Sequence, residues 1–104
     1  MEQLLWVHVE AAYPFEAVGL MQEGGPIIAL ENHSESPGNS FEIHKEEIIN
    51  AIEDYGFDPM AVVLWHSHPN GGVGPSTTDM RSKTPFNHHL VVTVDGGNLV
   101  YTWY

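Results

Sequence analysis

Apolar residues fall in short blocks along this chain, and the spacing inside each block differs from one to the next. Leu4, Leu5, Val7, Val9, Ala11 and Ala12 lack strict alternation and run up to Pro14, which predicts an amphipathic helix ending near Tyr13. Residues 16 to 22 and Ile27 to Leu30 flank the turn signal Gly24-Gly25-Pro26 and read as two strands of a hairpin. A polar loop from Asn32 to Ser40 follows, after which Phe41-Glu42-Ile43 alternates as a short strand. Over residues 45 to 55, Ile48, Ile49 and Ile52 mark one face of a helix, with Gly56 as its stop. The unbroken apolar run from Ala61 to Trp65 has the length of a strand covered on both faces and leads into His66. Pro69 to Thr78 has loop composition and ends in Ser76-Thr77-Thr78-Asp79, a helix start. Leu90 to Val94 and Leu99 to Trp103, joined by Asp95-Gly96-Gly97-Asn98, form a closing hairpin. Helices interleaved with strands, some of them hairpin-linked, predict an α/β domain: a mixed β-sheet packed by helices.

Composition narrows the class. A chain of 104 residues with 42% apolar and 16% charged residues is expected to form one domain, residues 1–104, burying roughly 65% of its unfolded surface. Three basic against fourteen acidic residues give a net charge of −11, which repels phosphate backbones and anionic headgroups, so neither nucleic acid nor membrane is an expected partner. Without cysteine the chain has no disulfide framework, thiolate zinc ribbon or Cys nucleophile, and any metal must be held by His, Asp or Glu. The N-terminal segment has no basic region and its longest apolar run spans only Leu4 to Val7, so a cytoplasmic protein is expected, in the host cytoplasm if it is phage-encoded.

The chemistry gathers where the apolar run ends, at His66-Ser67-His68-Pro69. In an extended segment residues i and i+2 point the same way, so the two imidazoles converge. Seven residues separate His68 from Ser76, and Asp79 lies three positions further, within reach of the pair if the loop folds back. Two His and one Asp suit Zn²⁺ with an open fourth position, the arrangement of a catalytic rather than a structural zinc. Each residue also has a plainer reading by itself: two surface histidines at a strand end, Asp79 as an acid favoured by a helix dipole, Ser76 as an N-cap. His33, His44, His88 and His89 are at ligand spacing with nothing and read as surface or strand-edge residues. Trp65, Trp103, Tyr101 and Phe86 read as core aromatics, and Glu46-Glu47 as a solvated helix face.

Taken together, H-S-H-P, the seven-residue gap, Ser76, two residues and Asp79 resemble the signature of the JAMM/MPN (JAB domain) zinc metalloproteases, which include deubiquitinating enzymes and short bacterial and phage relatives. The family's upstream glutamate, in a setting like P-x-E-x-x-G-L, is matched by Glu16 within Pro14 to Leu20, fifty positions before His66. The resemblance implies a cytidine-deaminase-like MPN sandwich. It also implies Zn²⁺ on His66, His68 and Asp79, Glu16 as the carrier of the water proton, and Ser76 as hydrogen-bond donor to the oxyanion. The chain has no room for insertions that grip ubiquitin, so the expected partner is a protein or peptide substrate presenting an extended tail. Ubiquitin-like, sulfur-carrier and phage tail-assembly proteins all fit that description. The loop from Asn70 to Pro75 and the strand carrying Phe41 are expected to flank the zinc and hold such a tail by backbone pairing to an open sheet edge. The alternative from another class is a non-catalytic MPN scaffold that docks partners. A zinc nucleobase deaminase, which shares the sandwich, needs Cys ligands that this chain lacks.

Overall fold

The computed structural model describes residues 2–38, 40–69, 74 and 88–104. Its elements in chain order are α1 (Glu2–Ala12), β1 (Val18–Met21), β2 (Ile27–Leu30), α2 (Lys45–Tyr55), β3 (Val63–His68), β4 (His88–Asp95) and β5 (Asn98–Trp103). The strands form one mixed sheet in the order β2-β1-β3-β4-β5, antiparallel except for the central pair β3 and β4. Both predicted hairpins are present, as is the first helix. A parallel neighbour cannot be reached by a tight turn, and the chain between β3 and β4 runs through residues 69–87, which include Ser76 and Asp79.

Period-two alternation divides the core into two layers, one on each face of the sheet. Val63 and Trp65 of β3 and Leu90 and Val92 of β4 pack with Leu5 of α1. On α1, Leu5 and Val9 are buried while Leu4 and Val7 are exposed, so a single turn-spaced seam faces the sheet. On the opposite face, Val18, Leu20 and Leu64 pack with Ala51 of α2 and with Phe57. No helix among the described residues is long and apolar enough to cross a membrane.

Four local expectations change. The apolar face of α2 is Ile48, Ala51 and Ile52, at spacings of three and four, whereas Ile49 is 45% exposed on the flank. Gly56 ends this helix as expected, in the left-handed region at φ 67°. Residues 41–43 are extended but are not a strand: His33 N–H donates to the Glu42 carbonyl, and Glu42 N–H is taken by the Asn32 side chain instead of a neighbouring backbone. Alternation fixed where Phe41 and Ile43 point, into the α2 layer, without supplying a ladder to join. The third strand starts later than the apolar run, at Val63, and continues through both histidines, because it has β1 on one side and β4 on the other. Trp103 is not a core aromatic, being 57% exposed near the end of edge strand β5, whereas Trp65 is fully buried and Tyr101 packs at the margin of the α1 layer. Phe86 lies outside the described residues.

Gly19 is fixed by a close approach. It pairs with Trp65 across β1 and β3, and a Cβ there would meet the indole Cζ2 at 2.7 Å and collide with the Ile28 carbonyl oxygen. One of those neighbours is backbone and cannot step aside. Gly19→Ala is therefore expected to cost about 3 kcal/mol or more, the upper end of overpacking, and to lower the melting temperature by roughly 10 to 20 °C. Thermal unfolding followed by circular dichroism checks this, and a shift of under about 3 °C would show that β1 moves to accommodate the methyl.

Candidate functional site

Alternation along β3 puts His66 and His68 on the α2 side of the sheet with Leu64. Both are buried, His66 completely and His68 with 9% of its surface exposed, and their Nε2 atoms are 3.3 Å apart. β1 pairs antiparallel with β3 so that Val18 faces His66. Continuing that register by two residues sets Glu16 opposite His68 and on the same face. The separation of fifty positions in sequence is thus closed by one strand pairing, and donor atoms of Glu16, His66 and His68 all lie within 4.8 Å of one another.

The carboxylate arrives on a fixed backbone. Glu16 precedes β1 and is only 4% exposed; its N–H donates to the Pro37 carbonyl (2.7 Å) and its own carbonyl accepts from Asn32 Nδ2 (3.1 Å). Asn32 Nδ2 also donates to the Ser40 carbonyl, so a polar loop that looks like filler in sequence is what anchors Glu16. The next residue is clamped to β3: Ala17 N–H donates to Ser67 Oγ (2.8 Å) and Ser67 N–H to the Ala17 carbonyl (2.9 Å). Ser67, the middle residue of the histidine motif, therefore joins the two halves of the site. Its place inside the motif was the one signal available for it.

Two aromatic groups complete the surroundings of His66. The Phe41 ring lies 4.6 Å from the imidazole centroid to centroid, so Phe41 flanks the site as expected, but by its side chain rather than by a strand. Tyr104 Oη is 3.4 Å from His66 Nδ1. With the Nδ1 proton donated to that oxygen, the Nε2 lone pair faces His68, the tautomer a metal ligand requires. Nothing in the sequence marks Tyr104. It reaches the site because the register of β4 and β5 carries the chain back, with Tyr104 N–H donating to the His89 carbonyl.

The donor set fits a tetrahedral ion. Two imidazole nitrogens at the usual Zn–N length subtend about 3.3 Å across a tetrahedral edge, which matches the separation of His66 and His68. An ion on the two imidazoles would lie beside the buried carboxyl of Glu16 and favour its charged form. Ser76 and Asp79, the expected oxyanion donor and third ligand, lie outside the described residues, as do residues 70–73 and 75 of the expected flanking loop.

The other histidines are not all bystanders. His88 is exposed at the start of β4, but His89 is buried, its ring 5.2 Å from that of Tyr104. His33 and His44, read from the sequence as unrelated, stack with centroids 3.6 Å apart and planes within 7°. His33 Nε2 is 2.7 Å from Glu47 Oε1, so Glu47 is not merely a solvated acid, and this contact holds the His33 pKa above its ordinary value, with Glu31 and Glu42 adding in the same direction.

The family model for prokaryotic homologs of the JAB domain matches residues 1–103. No curated protein matches the chain.

Proposed function

Since the chain belongs to the prokaryotic homologs of the JAB domain, we propose that it is a zinc-dependent peptidase or isopeptidase that hydrolyses an amide bond with an activated water. The observation that carries this reading is the convergence of buried Glu16 with His66 and His68. A structural pair of histidines would not need an acid brought to it across a strand pairing and fixed at both its N–H and its carbonyl.

His66 and His68 would hold the ion, with Asp79 as third ligand. When bound, Zn²⁺ supplies Lewis acidity, which acidifies water and polarises a carbonyl. The remaining work belongs to the chain. Glu16 accepts the proton of the attacking water and returns it to the departing amine. Tyr104, through Nδ1, holds the His66 ring in its ligating orientation. Ser76 donates to the carbonyl oxygen as that atom gains charge, a contact whose loss costs roughly 10² to 10³ in rate. The substrate class is a protein with an extended tail, ubiquitin-like, sulfur-carrier or phage tail-assembly, met in the cytoplasm.

The test is cleavage of tail peptides from such carriers, joined through an amide to a fluorogenic amine, by the full chain with and without added Zn²⁺. Release that depends on zinc and is abolished by a chelator is the expected result. Stoichiometric zinc on His66 and His68 with no release from any of the carriers would overturn the hydrolase reading and leave a docking scaffold.

A further inference from the structure

We propose a second divalent-cation site, formed by His33, His44 and Glu47 with Glu31 at its edge, that takes Zn²⁺ or another metal suited to imidazole and carboxylate. Donor atoms of the first three lie within 4.8 Å of one another, and Glu31 Oε2 is 3.6 Å from the same His33 nitrogen that meets Glu47. This cluster shares no residue with the one built on β3.

Three observations converge on an ion. The two imidazoles are stacked almost face to face, an arrangement that cannot carry two protons without repulsion at close range. One shared ion would relieve that crowding, the rings turning out of the parallel stack about their side-chain bonds until both in-plane lone pairs meet at one point. The donors also come from separate segments whose backbones are already tied together. His33 N–H donates to the Glu42 carbonyl, Asn32 Oδ1 accepts from the N–H groups of Ser34 and Glu42, and Glu47 N–H donates to the His44 carbonyl. Little ordering then remains to oppose binding. Finally, His44 is exposed and His33 and Glu47 half-buried, so an ion can enter from solvent.

The chemistry sets the affinity below that of the β3 site. His44 is the N-cap of α2 and Glu47 lies in its first turn, where the helix dipole disfavours a cation, and exposed donors hold it in a higher dielectric. Occupancy has a consequence for the chain. It ties residue 33 to α2, and residue 32 is the asparagine that holds the Glu16 carbonyl. The weaker ion would thus stiffen the frame of the acid without touching it.

Two titrations of the full chain test this: Co²⁺ followed by its visible ligand-field absorption, and Zn²⁺ by equilibrium dialysis. Two ions are expected to bind, the second at least about tenfold more weakly. His33→Ala and Glu47→Gln, both outside the core, should each remove the weaker ion and leave the tighter one. His68→Ala should do the opposite. Weak binding unchanged in both His33→Ala and Glu47→Gln, or no weak ion in the parent chain, overturns the second site. A single ion lost with His33→Ala but kept in His68→Ala would uphold it and refute the assignment of zinc to β3, so the two readings fail separately.

Discussion

Glu16→Gln should bind zinc as tightly as the parent chain, melt within about 2 °C of it, and hydrolyse its amide substrate about 10² to 10⁴ times more slowly, the range that a positioned proton carrier contributes. The substitution is isosteric, and both backbone bonds of residue 16, to Pro37 and Asn32, survive it. What is lost is a group able to take a proton. The measurement pairs single-turnover rates with metal content on the same preparations. A variant as fast as the parent would end the role of Glu16 in proton transfer, and zinc loss as complete as in a ligand variant would make Glu16 a ligand instead.

His68→Ala is the complementary case, losing metal and activity together. Changes to residues that merely orient a ligand cost about 10- to 100-fold in metal affinity, so deletion of a ligand should weaken binding by more than about 100-fold. Zinc at a hundred times its dissociation constant stabilises the parent by about 2.7 kcal/mol, and that gain should be absent from the variant. The stability of the metal-free chain is a separate matter, since the removed ring leaves a buried cavity. Thermal unfolding with and without Zn²⁺ therefore reports the site by difference. A variant that keeps the full zinc-dependent shift would show that the ion sits elsewhere.

Much of this arrangement could be read in the sequence, for identifiable reasons. The convergence of His66 and His68 follows from strand geometry alone, and an apolar run covered on both faces could be recognised as a central strand. Glu16 was legible only by resemblance: a distance of fifty positions becomes a distance of a few ångströms through the pairing of Val18 with His66, and no local pattern encodes a pairing. Residues 41–43 show the converse, since alternation records burial of Phe41 and Ile43 but not hydrogen bonding. His33 and His44 were missed because the approach of the segment after β2 to the first turn of α2 depends on the Asn32 side chain, which bonds to residues 16, 34, 40 and 42. A polar residue in a loop looks the same in sequence whether it organises four other residues or none.

The placement of the two imidazoles on β3 decides how the site comes apart. A central strand paired on both sides exposes its amides only when the whole sheet opens, so the ring-bearing segment belongs to the slowest-exchanging unit of the fold. Glu16 is held instead from a loop whose bonds among Ser34, Ser36 and Ser40 include solvent-exposed ones, the kind of segment that opens locally. The two halves then have different lifetimes. Warming should loosen the loop contacts of Glu16 before the pairing of β3, so that the two imidazoles stay together while the acid, tethered to the sheet through Ala17 and Ser67, begins to swing away.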